Sequence, residues 1–89
     1  VNISSIYGVV GPNFNIYEGT TMTSPANYAF AKGGMINYTR YAASYYGRFG
    51  IRVNCISPGG FQTDQPDIFI ENYSKQTPLG RMATDDDIK

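Results

Sequence analysis

The hydrophobic positions change period along the chain, and the changes mark the elements. Val1 to Ile6 alternates imperfectly and is rich in β-branched residues, the pattern of a strand buried in a parallel sheet. On such a strand Ser5 shares a face with Val1 and Ile3, while Ser4 points the other way. Gly8, Gly11, Pro12, Asn13 and Gly19 then punctuate a long loop, Gly8 to Thr23, in which Phe14, Ile16, Tyr17 and Met22 are expected to anchor two or more turns. A helical stretch follows. Ser24 is placed to cap it, Pro25 suits a first turn where a missing N–H costs nothing, and the helix is expected from Pro25 to Tyr46 with Gly47 as its stop. Ala29, Gly33, Ile36 and Arg40 lie along one side, and Tyr38, Tyr41, Tyr45 and Tyr46 gather aromatic surface elsewhere. Gly33 and Gly34 each cost ~0.5–1 kcal/mol against alanine inside a helix, so close approach of a sheet or a cofactor is expected to offset them.

A second strand is expected from Gly50 to Ser57, ending at Pro58, Gly59 and Gly60. A helix joining two strands is a crossover connection, which makes the strands parallel and carries their following loops to one edge. In open α/β sheets ligands bind at that edge. Farther on, Asp64 to Thr77 is polar with a short amphipathic helical signal at Ile68, Phe69, Ile70 and Tyr73. Pro78 to Met82 reads as a turn, and Thr84 with Asp85, Asp86 and Asp87 reads as an acidic helix start whose carboxylates are solvated.

Composition bounds the function. At 89 residues the chain is one domain at most, and a domain of that size buries little more than ~60% of its unfolded surface, so the core should be thin. With 42% hydrophobic and 16% charged residues it is globular, and a net charge of zero points to neither a nucleic-acid nor a membrane partner. The charges are nevertheless segregated. Between Gly19 and Thr63 the charged residues are Lys32, Arg40, Arg48 and Arg52, whereas six of the acids lie from Asp64 onward. Such a positive middle could help hold a phosphorylated cofactor, or be scattered surface charge. Cys55 is alone, which excludes an internal disulfide and suits a packing residue in a reducing compartment. Histidine is absent, so histidine-dependent triads and histidine metal sites are excluded within this chain. No apolar run approaches the ~20 residues that span a bilayer, and the cytoplasm is the expected location. Val1 already stands inside a strand and Lys89 where a helix begins, the look of a piece cut from a longer polypeptide. Nor is there a GxGxxG-type turn to cradle a dinucleotide's phosphates.

The chemistry centres on Tyr28 and Lys32. On a helix a spacing of four sets the phenol and the ammonium one above the other. A phenol with a reference pKa of ~10 is a poor acid or base at neutral pH, and a nearby cation favours its ionised form. The spacing alone is weak, since many solvated helices carry it. The flanks add to it: Ser4 and Ser5 end the first strand, and Pro58, Gly59 and Gly60 end the second.

Taken in order, Asn2 to Ser5, the YxxxK of Tyr28 to Lys32, and Ile51 to Asn54 leading into Ser57, Pro58 and Gly59 resemble the motifs of the short-chain dehydrogenase/reductase family. Pro58 to Thr63 also matches its PGxxxT pattern, and Pro78 to Arg81 its PLGR turn. The resemblance implies an α/β fold, a fragment of a doubly wound parallel-sheet Rossmann fold over residues 1–89 that lacks the N-terminal dinucleotide-binding half and the last strand. It implies hydride transfer between an alcohol or ketone and NAD or NADP, with Tyr28 exchanging the proton, Lys32 lowering its pKa and bonding the nicotinamide ribose, and Ser5 orienting the small-molecule substrate. Pro58 and Gly59 would flank the nicotinamide, the Phe61 backbone would contact its amide, and Thr63 would offer a hydroxyl. The family's catalytic asparagine would lie upstream of Val1, and Asp64 to Thr77 resembles its mobile substrate lid. In the family the long helix packs against its symmetry mate, which implies a homodimer or homotetramer through residues 25–46. The separation of Ser5 from Tyr28 is longer than usual, and this insertion is similar to one in reductases encoded with bacterial surface-sugar and flagellin-modification genes. A carbohydrate-related or a 3-oxoacyl substrate fits. Two alternatives stay open: an interaction module without catalysis, and a sugar-nucleotide epimerase of the extended branch, against which PGxxxT and PLGR argue.

Overall fold

The computed structural model describes residues 1–89, which divide into two compact units, Val1–Pro12 with Ser24–Pro58 and Asn13–Thr23 with Gly59–Lys89. In the first unit a strand β1 (Asn2–Ile3), a 3-10 turn (Ile6–Gly8), a long helix α1 (Ala26–Gly47) and a strand β2 (Cys55–Ile56) follow one another. The strands pair in parallel, Asn2 opposite Cys55 and Ile3 opposite Ile56, as a crossover requires. Formal strand is shorter than the hydrophobic pattern, but the ladder is not. Asn2, Ser4 and Ile6 donate their N–H groups to the carbonyls of Asn54, Ile56 and Pro58 at 2.8, 2.8 and 3.1 Å, so extended pairing runs to the proline.

Helix α1 begins one residue later than expected and ends at Gly47 itself. Pro25 is the N-cap, in an extended conformation with no side-chain cap, so Ser24 does not cap the helix. Gly47 does not stop the chain either. The closing turn places Gly50 at φ +76°, where Gly50 N–H donates to Gly47 at 2.9 Å and Ile51 N–H to Tyr46 at 3.3 Å. This is a Schellman closure, and its left-handed position belongs to the later glycine. The buried side of α1 runs through Ala29, Gly33, Ile36, Thr39 and Ala42; Arg40, expected on that side, is exposed, because the stripe steps back by three residues at Thr39. Tyr38, Tyr41 and Tyr45 form an exposed ladder, with ring centroids 6.4 and 6.1 Å apart and planes within 25° and 16°.

In the second unit two 3-10 turns, Phe14–Tyr17 and Asp85–Asp87, flank a helix α2 (Asp67–Lys75), which carries the amphipathic signal read from Ile68 to Tyr73. Its core is Ile16, Phe69 and Met82, with Tyr17, Met22, Ile70 and Tyr73 packed against it. Ile16, Tyr17 and Met22 are thus anchors as expected, but Phe14 is exposed, its ring tilted at 45° to that of Tyr17 with centroids 6.1 Å apart. The core is thin: Ile16, Ala42, Phe69 and Met82 are the buried apolar side chains of the whole chain. No helix is long and apolar enough to cross a membrane.

Because any residue with a Cβ is strained at that φ, Gly50→Ala should lower unfolding stability by ~1–2 kcal/mol, whereas Gly47→Ala, inside the helix, should raise it by up to ~1 kcal/mol. Urea denaturation followed by circular dichroism measures both.

Candidate active site

Strand β1 and helix α1 meet at Lys32. The Ser4 hydroxyl donates to the Lys32 carbonyl at 2.7 Å, and Lys32 Nζ reaches back to the Ile3 carbonyl at a long 3.4 Å. Two turns farther along, Asn2 Nδ2 donates to Thr39 Oγ1 at 3.0 Å. The backbone turn after β1 presses on the same spot. A Cβ on Gly8 would stand 2.7 Å from the Lys32 oxygen, so the close approach expected of Gly33 and Gly34 is made instead by Gly8. Gly33 meets only the Gly8 carbonyl at ordinary contact, and Gly34 faces open space.

This packing sorts the chemistry-bearing side chains. The Lys32 ammonium lies 5.7 Å from the centroid of the Tyr28 ring, so the helix brings these two together as the spacing predicts. A cation–π contact at such an exposed site is worth only ~0.5–1 kcal/mol, small enough for a ligand hydroxyl to replace it. Tyr28 itself is 41% exposed. Of the two serines, Ser4 is committed to the helix. Ser5, 8% exposed, caps the 3-10 turn by accepting from Tyr7 N–H at 3.1 Å, which leaves its own O–H to donate. Pro58, half-buried at the end of the ladder, accepts from Ile6 through its carbonyl.

The other expected site residues, Gly59, Phe61 and Thr63, lie in the second unit. Phe61 makes a parallel bridge with Ala83, built from Ala83 N–H to Gly60 at 2.8 Å and Gln62 N–H to Ala83 at 2.9 Å. The bridge uses the peptides on either side of Phe61 and leaves its own N–H outside. Gln65 closes the bend, accepting from Thr63 N–H at 2.6 Å and donating to the Phe61 carbonyl at 2.8 Å. Gly60 N–H donates to the Tyr73 hydroxyl at 2.6 Å, and a Cβ on Gly60 would fall 2.8 Å from that ring. A larger residue at Gly60 would therefore require Tyr73 to move. An open cavity of about 300 Å³ lies beside the bend, lined by Gly59, Gly60, Tyr73, Leu79, Met82 and Ala83.

The acidic run is not simply solvated. Asp87 takes two charge-assisted bonds from Arg81 at 2.8 and 2.9 Å and one from Thr84 N–H at 2.7 Å, the last as part of a capping box. Arg81 first, and then the Thr84 N–H, hold the Asp87 carboxyl well below the usual carboxylate range. Asp85 and Asp86 are exposed, as expected.

A family model described as Enoyl-(Acyl carrier protein) reductase matches residues 1–89. A solved structure, a short chain dehydrogenase from Leptospira borgpetersenii with bound NAD+, superposes with a TM-score of 0.89 at 48% identity over 98% of this chain and 32% of that one. The chain belongs to the short-chain dehydrogenase/reductase family. Among curated relatives of this short-chain dehydrogenase/reductase, a post-translational flagellin modification protein A from Campylobacter coli is 38% identical across 99% of the chain and 34% of its own length. A 3-oxoacyl-[acyl-carrier-protein] reductase from Chlamydia muridarum is 39% identical across 99% and 33%. A (3R)-3-hydroxyacyl-CoA dehydrogenase from Mus musculus is 39% identical across 99% and 32%. The chain spans about a third of the length of these relatives.

The sequence of this short-chain dehydrogenase/reductase chain did not point to Gln65, to the Tyr73 hydroxyl or to the Arg81–Asp87 pair. The PLGR turn places a guanidinium six residues before Asp87, a separation with no helical or strand period to flag it. Only the capping pattern from Thr84 to Asp87 was a usable signal. A depressed carboxyl contributes stability in full above its unfolded value of ~3.9 and loses it as pH falls below that toward the lowered one. Acid unfolding of the wild type should therefore include a component below about pH 4 that Asp87→Asn removes, and stability at neutral pH should fall in the variant. Urea midpoints measured from pH 7 down to pH 2 read both effects.

Proposed function

We propose that these residues form the catalytic third of an NAD- or NADP-dependent oxidoreductase that interconverts an alcohol and a ketone. What supports this reading is that α1 brings the Lys32 ammonium within 5.7 Å of the Tyr28 ring centroid, while β1, bonded to α1 at the Lys32 carbonyl, leads directly into Ser5, whose hydroxyl accepts from Tyr7 N–H. Tyr28 exchanges a proton with the substrate oxygen. Lys32 offsets the negative charge of the phenolate and bonds the nicotinamide ribose, and Ser5 donates to the substrate oxygen as charge grows there. The nicotinamide, when bound, supplies the hydride chemistry. Pro58, Gly59, the N–H of Phe61 and the hydroxyl of Thr63 are the groups that would hold it. The bound NAD+ of the Leptospira structure and the names of the curated relatives support this reading.

The substrate class divides between a 3-oxoacyl or 3-hydroxyacyl thioester, one in each of two relatives' names, and a carbohydrate-related ketone, toward which the flagellin-modification relative points. Turnover of one but not the other by the intact enzyme decides between them. In that enzyme Tyr28→Phe should lower turnover roughly a hundredfold or more while affinity for nicotinamide dinucleotide, measured by fluorescence titration, stays unchanged. Retained turnover would overturn the role given to Tyr28.

The tyrosine ladder of α1 is assigned to a second copy of the same chain, giving a homodimer or homotetramer. Tyr38, Tyr41 and Tyr45, with Phe30 at 86% exposure, are large aromatic side chains of the kind that carries interfaces, and no charged residue lies between Lys32 and Arg40 on the helix. Tyr41→Arg should shift the sedimentation coefficient of the intact enzyme toward that of the monomer. An unchanged coefficient would place the interface elsewhere.

A further inference from the structure

Adjacent serines follow β1 with different tasks, and that of Ser4 is not in the catalytic scheme. The Ser4 side chain, 4% exposed, gives its proton to a helix carbonyl at 2.7 Å. That carbonyl already serves the i+4 ladder of α1, so the strand hydroxyl uses its second lone pair. It belongs to Lys32, whose ammonium turns back to the carbonyl of Ile3, the residue just before Ser4. The dipeptide Ile3–Ser4 therefore grips both ends of Lys32: its main chain tightly at 2.7 Å, its ammonium loosely at 3.4 Å. The unequal lengths matter. The short bond fixes the main chain of Lys32 against the strand, and the ammonium, held at the longer distance, also lies 5.7 Å from the Tyr28 ring centroid. Ser5, the next residue, instead caps the 3-10 turn by accepting from Tyr7 N–H at 3.1 Å.

We propose that Ser4 is a positioning residue for the reaction: its bond to the Lys32 carbonyl sets the register of α1 on β1, and with it the place of Tyr28 and Lys32 relative to Ser5. This rests on the Ser5–Tyr28–Lys32 reading above. Ser4 touches neither substrate nor cofactor. Its loss acts through the placement of the ammonium and the phenol, and misplacement of a catalytic group by about 1 Å costs on the order of 100-fold in rate.

The test uses the intact enzyme with Ser4→Ala and Ser4→Thr, measuring kcat, substrate KM and thermal unfolding for each. Ser4→Ala should lower kcat ~10- to 100-fold with little change in KM, at a temperature where the variant is fully folded, and Ser4→Thr, which keeps the hydroxyl, should restore most of the loss. Full kcat in Ser4→Ala, a loss that only tracks the unfolded fraction, or a loss that Ser4→Thr leaves in place would each overturn the proposal. Tyr28→Phe run alongside separates the two readings. If Tyr28→Phe is inactive and Ser4→Ala is not, only the positioning role fails; if Tyr28→Phe turns over, the catalytic reading itself fails.

Discussion

The Lys32 carbonyl is where strand and helix come together, with the Ser4 hydroxyl on it at 2.7 Å and the Gly8 main chain pressed against it. Buried polar groups are costly unless paired, and Ser4, Ser5 and Thr39 are the buried polar side chains of the chain. Each is paired. Thr39 donates to Met35 within the helix while accepting from Asn2, so the interface between β1 and α1 is polar as well as apolar. Such bonds have a direction and a fixed length, whereas apolar contact tolerates sliding. A helix held by them to a particular strand residue carries its side chains to a particular place.

The order of elements was legible in the sequence because period and punctuation agree there. The β-branched run at Val1, the helical stretch after Pro25, and the proline and glycines from Pro58 each give a local signal, and the parallel pairing follows from connectivity. What was not legible is where those elements stop. Gly47 and Gly50 are equally plausible helix ends by composition. The regular helix ends at Gly47, and the left-handed closing position falls three residues later at Gly50, beyond a turn through Arg48 and Phe49 in which Arg48 stacks on Tyr45 at 4.4 Å. Ser24 lost its capping role in the same way, since Pro25 already supplied the extended residue before the helix.

The candidate site divides along the same line. Tyr28 and Lys32 sit on one element, so a four-residue spacing predicts their meeting, and strand alternation predicts that Ser4 and Ser5 face apart. The bend at Pro58 to Thr63 is different. Its shape depends on Gln65, Tyr73 and Ala83, which come from later in the chain and carry no motif, so the sequence named the bend without naming what holds it. The space above Gly60 is filled by the protein's own tyrosine, a contact that no local signal around the glycine announces.

That tyrosine has a mechanical consequence. Tyr73 stands on α2, and its hydroxyl holds the Gly60 N–H at 2.6 Å while its ring covers the glycine. Helix and bend are thereby geared together. Any swing of α2 away from its resting place must either drag the peptide of Gly60 along or sever that bond first.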